Sequence, residues 1–592
     1  MNRIIRSALV LLIALVPAFC QSHGYTITTM AGGANPYYYS GSGDGGPATS
    51  AALGNPTYDA TVDGAGNLYI VAGRLIRKVT PDGKIATVAG GGTSVGDYVP
   101  ATQAELFPLA IVADSAGDLF IADTAFGNSR IRMVDTKGII TTIAGGAPCC
   151  NLGDGGPATN AYLSLPYGLA LDASGSLYVA QVNSQNNLIR KISGGTITTF
   201  AGGGQSPGDG GPATGASLSR PLGVAVDNAG NVYIAEANGN RVRKVSGGVI
   251  ATVAGNGSTN SAGDGGPAIQ AGINSPWHVA VDAAGDLFIS QINDARVRLV
   301  TPGGNITTMA GTGTDGSSGD GGPGSSAMLD RPAGIALGNC SQVYVVDSSA
   351  TIATVRVLNP VPFIVSGGVV PSGSSASAIE SGSWVSIYGT NLAGCTASWN
   401  GDFPTTLGGT SVTLDSKPGY LWFVSPTQIN VQVPDDTTTG LINVAVTTAG
   451  GNTSSTVTLA QYAPAFSLFS SKYPAAIVSN ATGYDNIGPA GAFPFPSRPV
   501  QAGETVTLFG GGFGPTNPPV PSGKVFSGAA PCGTTPQVTI GGMPATVSFA
   551  GVVGAGLYQL NVIVPAAGSG DQPLQATVGG ATTQSNIFLT LQ

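Results

Sequence analysis

Between Pro221 and Gly255 the chain reads PLGVAVDNAGNVYIAEANGNRVRKVSGGVIATVAG. Within it GVAVD, NVYIAE, RVRKV and VIATVAG alternate apolar with polar or small residues. Period-two alternation broken by Gly, Asn and Asp clusters predicts four short antiparallel strands joined by tight turns. One sheet of that size cannot cover its own two faces, so it must stack on copies of itself.

The copies are present. GDGGPA recurs with its aspartate at Asp44, Asp154, Asp209, Asp264 and Asp320 (the last reads GDGGPG), and a degenerate GDYVPA puts Asp97 in the same frame. The spacings are 53, 57, 55, 55 and 56 residues, which makes six units. Each unit continues to a proline (Pro56, Pro108, Pro166, Pro221, Pro276, Pro332) and a strand that ends in Asp63, Asp114, Asp172, Asp227 or Asp282, with Gly338 in the sixth. A second strand follows, and then a third carrying Arg77, Arg132, Arg190, Arg243, Arg298 or Arg356.

The fourth strand decides the architecture. ITTMAG-like hexads begin at Ile27, Ile85, Ile140, Ile197, Ile250 and Ile306, so the first precedes the first complete unit, and none follows Arg356. The sixth sheet lacks its last strand while the chain has one to spare at its start. Joining the two closes a ring and removes the open edges of a linear array. Residues 24–359 are therefore expected to form a six-bladed β-propeller, with the N-terminal strand closing the last blade.

The wording GVAVDxxGNxYIAxxxxxRVRKV resembles the NHL-repeat family. The GDGGPA lead and ITTxAG strand are similar to the variety in secreted bacterial NHL proteins and in the propeller of teneurin adhesion receptors. The resemblance implies the fold; such propellers include enzymes, RNA binders and adhesive modules, so it implies no single function.

After about Pro360 the pattern changes and then repeats itself. SGSWVSIYGTNL (Ser381–Leu392) is echoed by AGETVTLFGGGFG (Ala502–Gly514), and GGTSVTL…WFVSPTQINVQVP by PQVTIGGMPATVSFAGVVGAGLYQLNVIVP. The duplication predicts two immunoglobulin-like β-sandwich modules, residues 362–461 and 462–592, with Tyr462–Pro499 as an irregular link. The region resembles a C-terminal domain of secreted bacterial proteins akin to IPT/TIG-type immunoglobulin folds. The whole chain is then all-β.

Composition adds an address. Charged residues are only 9% of the 592, with Gly at 91 and Pro at 40, which suits strands and turns. Arg3, Arg6, the apolar run Ala8–Pro17 and Ala18-Phe19-Cys20 read as a signal peptide (residues 1–20) cleaved near Cys20, a lipoprotein cysteine being the rival reading. The expected location is secreted or on the outer cell surface, and no later run is long enough to span a bilayer as a helix. Without Arg3 and Arg6 there are 21 basic against 31 acidic residues, a net charge near −10 that disfavours nucleic acid. Cys149, Cys150, Cys340, Cys395 and Cys532 form no disulfide framework by spacing, although Cys149 and Cys150 could pair as neighbours.

Chemistry is sparse. Of two histidines, His23 lies at the mature N-terminus and His278 at the start of an inner strand. In some NHL-like lyases, the resemblance implies, several blades each give a histidine to a zinc ion near this point. Here the equivalent positions are Tyr58, Ala110, Gly168, Gly223 and Gly334. Catalytic zinc wants about three protein ligands, so His278 is expected to be structural, and no metal, cofactor or catalytic residue is assigned. The GDGG aspartates offer one carboxylate per loop, whereas calcium needs about six to eight oxygens. They are expected to accept backbone hydrogen bonds in turns, as are the aspartates ending the inner strands. The six arginines are expected to pair with acids such as Asp123 and Glu236.

One feature points to a ligand. The residues after the recurring prolines (Thr57, Leu109, Tyr167, Leu222, Trp277, Ala333) should ring a channel mouth, with Tyr58 and His278 one step on. Tyr58, Tyr167, Trp277 and His278 are the candidate ligand-binding residues, by stacking on a sugar or gripping a peptide; packing between blades is the competing reading. The expected function is an exported, monomeric binding or adhesion protein for an extracellular protein or glycan, its C-terminal modules a spacer or docking unit. A propeller-based lyase or hydrolase and an envelope scaffold without a small ligand are the alternatives.

Overall fold

The computed structural model describes residues 24–592 apart from 35–40, 125–128, 148–150, 183–186, 207, 349–352, 375, 400 and 402. The signal peptide, Cys20, His23 and the Cys149-Cys150 pair lie outside the described residues. Gly24–Pro360 forms one compact unit and Val361–Gln592 belongs to a second.

Six sheets make up the first unit among the described residues. In blade one, Thr57–Val62, Leu68–Ala72, Leu75–Val79 and Ile85–Gly90 pair in chain order. Blades two to five repeat that order, beginning with Pro108–Ala113, Pro166–Leu171, Pro221–Val226 and Pro276–Val281. Blade six takes Pro332–Leu337, Val343–Ser348 and Ala353–Pro360 from its own unit and Tyr25–Gly32 from the start of the chain. That strand runs antiparallel to the last, with Ile27 opposite Leu358 and Gly32 opposite Thr354. Each first strand packs on the next blade's first strand, and Thr57–Val62 touches both Pro108–Ala113 and Pro332–Leu337, so the ring closes.

The repeated residues explain why each unit folds alike. Asp63, Asp114, Asp172, Asp227 and Asp282 each accept the amides two and four residues on. This Asx turn reverses the chain into the second strand. The GDGG aspartates do more than order their own loops. Asp44, Asp97, Asp154, Asp209, Asp264 and Asp320 lie 2.6, 3.1, 2.7, 2.7, 2.5 and 2.5 Å from Arg77, Arg132, Arg190, Arg243, Arg298 and Arg356. Those arginine side chains are at most 1% exposed. Each lead loop thus pins its own blade's third strand, and Asp123 and Glu236 stand farther off, at 3.8 and 3.9 Å from Arg132 and Arg243.

In the second unit, Phe363–Pro371, Trp384–Thr390, Gln428–Gln432, Tyr420–Val424 and Ala397–Ser398 form one sheet. It packs on a second sheet containing Thr410–Leu414, Gly440–Thr448 and Gly451–Ala460. The repeat of this pattern departs from two separate layers. Thr505–Gly511, Leu557–Ile563, Met543–Gly554, Gln537–Ile540 and Gly570–Val578 belong to one continuous sheet around its own core. Register breaks between Val547 and Phe549 and between Val552 and Gly554 let the long strand Met543–Gly554 bend from one layer to the other. Residues 462–499 are also more than a link: Ala476–Asn480, Gly483–Ile487 and Ser497–Arg498 extend that sheet's edge. Cys340 and Cys395 are each disulfide-bonded, and Cys532 is free.

Candidate functional site

Every inner strand of the propeller begins with a β-bulge or wider register break, between Pro166 and Gly168 in blade three and between Pro276 and Val279 in blade five, for example. Such irregularities re-aim side chains that strict pleating would alternate. Here they turn Tyr58, Leu109, Tyr167, Trp277 and His278 toward one shallow surface hollow, with Asp59 at its wall. All four residues singled out from the sequence meet there. Thr57, Leu222 and Ala333 do not; they are buried, so the rim is uneven rather than a ring of six.

Close backbone approach shapes the hollow. A Cβ on Gly223 would stand 2.7 Å from His278 Cα, and one on Gly334 would stand 2.6 Å from Asp59 Cα. Glycine at these positions lets neighbouring inner strands touch, which leaves the larger Tyr58 and His278 side chains to occupy the centre. The Tyr167 and Trp277 rings meet edge to face at 6.2 Å, and the Arg220 guanidinium lies 5.9 Å from the Trp277 ring centre.

The polar wall is a pair. His278 Nε2 is 3.4 Å from Asp59 Oδ1, and its Nδ1 accepts from the Ile335 amide at 3.4 Å, so both ring nitrogens are engaged. Asp59 also accepts from the amides of Ala60 (2.8 Å) and Ile111 (3.0 Å). Burial pushes its carboxyl above the ordinary aspartate range, against the opposing pull of His278 and those amides. The pair ties blade five to blade one past Gly334 of blade six.

Asp59 was missed by reading the repeat for its shared residues. One extra residue between Pro56 and Asp63 hid it: Thr57 pairs with Ala72 as Pro276 pairs with Gln291, so Asp59, not Tyr58, is the blade-one counterpart of His278. The other units hold Ala110, Gly168, Gly223 and Gly334 there. A carboxylate and an imidazole at a position otherwise held by glycine or alanine are what a site on a repeated scaffold looks like. Among the described residues no three His, Cys, Asp or Glu side chains converge as a metal site.

Residues 203–263 match the teneurin NHL domain, and residues 368–462 match the IPT/TIG domain. The propeller is thus of NHL type and an IPT/TIG domain follows it. Human teneurin-4 (Homo sapiens) is 31% identical over 242 residues, covering 35% of this chain and 8% of the relative. Teneurin-1 of Gallus gallus is 27% identical over 240 residues, covering 36% and 9%. The chain therefore spans less than a tenth of the length of these relatives. Among solved structures, an auxiliary nutrient binding protein from Bacteroides ovatus superposes with a TM-score of 0.40 at 17% identity, over 57% of this chain and 76% of that one.

Proposed function

We propose that the chain is an exported binding or adhesion protein whose propeller presents the hollow beside Tyr58, Tyr167 and Trp277 as a recognition face. The observation that carries this reading is the convergence of three aromatic rings from blades one, three and five on one concavity. Packing between blades needs only neighbouring residues to meet, and Trp277 instead meets Tyr167, two blades away. Aromatic walls with a few fixed polar groups give a small polar ligand both stacking area and orientation. The similarity of residues 203–263 to the teneurin NHL domain is in keeping with binding rather than turnover. In this reading the C-terminal unit serves as spacer or docking element, and the partner is an extracellular protein or glycan.

The test is retention of the full chain on peptide and glycan arrays, with Trp277→Ala and Tyr167→Ala beside it. Truncating a half-buried aromatic at a ligand-filled hollow costs about 2 kcal/mol, or roughly thirtyfold in affinity. Both variants should keep the parent circular dichroism and lose the retained ligand. Unchanged retention by both folded variants removes the mouth as the site.

A further inference from the structure

The C-terminal unit has a small open cleft of its own, with a cavity volume of about 60 Å³. Strands Trp384–Thr390 and Gln428–Gln432 alternate cleanly. Val385, Ile387, Ile429 and Val431 are wholly buried in the core, which turns Trp384, Ser386, Tyr388, Gln428 and Asn430 to the other face. Cross-strand register sets Ser386 opposite Asn430 and Tyr388 opposite Gln428. All five residues line the cleft.

Asn430 is the centre of this face. Its Oδ1 accepts from Ser386 Oγ at 3.0 Å and Gln428 Nε2 at 2.8 Å, and the residue is 6% exposed. Those two bonds fix which way the amide points, leaving its amino group as a donor with no partner among the described residues. Gln428 Oε1 and the Tyr388 hydroxyl likewise have none among those residues. The Trp384 indole is held in place by donating to Ala555 O at 2.7 Å. Among the described residues no charged side chain lines the cleft.

The duplicated half is an internal comparison. Thr507 Oγ1 and Gln559 Nε2 donate to Asn561 Oδ1 at 3.1 and 2.8 Å, reproducing the triad. There, however, Thr505 stands in place of Trp384 and Phe509 in place of Tyr388. The triad is thus a rigid feature of both halves, and only the first flanks it with an indole and a phenol.

We propose that this cleft seats one ring of a neutral oligosaccharide. Sugar hydroxyls need a donor and acceptor held side by side, as an amide offers, and the C–H face of a pyranose stacks on an aromatic ring. A charged glycan would call for a counter-charge that the lining lacks. A polypeptide strand would pair with a sheet edge, whereas this is a sheet face. The site is separate from the propeller mouth and stands without it.

The test is affinity electrophoresis of the full chain through gels containing xyloglucan, mixed-linkage β-glucan, galactomannan or mannan. At least one should retard it. Asn430→Asp keeps the acceptor for Ser386 and Gln428 while removing the amino donor, and Tyr388→Ala removes the ring; each should weaken retardation about tenfold or more. Tyr388 is half-buried, so its variant remains informative if Asn430→Asp does not fold. Trp277→Ala reads the propeller mouth separately, so retardation that persists in it belongs to the cleft. Absence of retardation by all four polymers overturns the assignment, as does retardation that survives both cleft variants. Loss with Trp277→Ala alone overturns it too, and moves the sugar to the propeller without touching the mouth reading. Capture of a peptide at the cleft in place of a polysaccharide also overturns it.

Discussion

Six arginines sit inside the propeller at the cost of desolvating six guanidinium groups, and each is offset by a carboxylate from the loop that opens its repeat. The blades differ in what else faces the charge. In blade four Glu236, fully buried, stands 3.9 Å from Arg243 in addition to Asp209. In blade three that position is Gln181, and Asp154 is the only acid within ion-pairing distance of Arg190 among the described residues. A buried charge deprived of its partner destabilises far more than an exposed one, while the half-exposed position of the aspartates lowers the figure. Asp154→Asn is therefore expected to cost about 2–3 kcal/mol in urea unfolding, and Asp209→Asn less, because Glu236 remains. Equal losses in the two blades would show that the second acid contributes nothing. These arginines were legible as structural from their repetition. Asp123 and Glu236, expected as partners, do pair with Arg132 and Arg243. The nearer partners were not legible, because Asp44 and Arg77 are 33 residues apart and only the folded blade brings them to 2.6 Å.

At the scale of elements, the strand Tyr25–Gly32 shows why the ring could be read from sequence and other parts could not. A hexad standing before the first unit, with none after the last, leaves one arrangement that pairs every strand. Its substitution for a fourth strand extends to detail: the Thr29 amide bonds Asp320, as Thr87 bonds Asp44 and Thr252 bonds Asp209. Ile27 is fully buried against Leu358, Leu329 and Met309. Removing its side chain as Ile27→Ala should cost about 2–5 kcal/mol, read as a lower midpoint in denaturant. Deleting residues 25–32 should expose the edge of Ala353–Pro360 and shift the protein to larger species in size-exclusion chromatography; a monomeric, equally stable deletion would show that blade six holds without it. The edge strands of residues 462–499 carried no comparable signal, since short segments rich in Pro and Gly satisfy their hydrogen bonds only after the neighbouring sheet exists. The single wrapped sheet of the second half was hidden for a related reason, as bulges are decided by packing rather than by apolar period. The cleft was invisible because its walls come from strands more than 100 residues apart, such as Trp384–Thr390 and Thr505–Gly511.

The molecule as a whole has few charges, so the handful that are buried should dominate how its two units respond to pH. In the propeller, burial raises Asp347 to about 7 despite the neighbouring Arg356. In the C-terminal unit, burial raises Glu380 to about 8, against hydrogen bonds from the Ala463 and Gly514 amides and the Tyr558 hydroxyl. Glu380 comes from the first of the duplicated halves and all three donors from the second, so this carboxyl joins them. A folded-state value above the unfolded one means that the native form holds a proton the unfolded chain has already released. The stability it lends is full below about pH 4.5 and is lost as pH rises toward 8. Scanning calorimetry of the full chain is expected to show two transitions, both moving down between pH 5 and 8.5. Glu380→Gln keeps the shape and an acceptor oxygen but has no proton to release. It should flatten the pH dependence of one transition and leave the other as it was, at about 2–4 °C per kcal/mol for a unit of this size. Asp347→Asn should do the reverse. A single transition, or one substitution flattening both, would mean that the propeller and the C-terminal unit unfold as one body, with the charges inside each felt by the other.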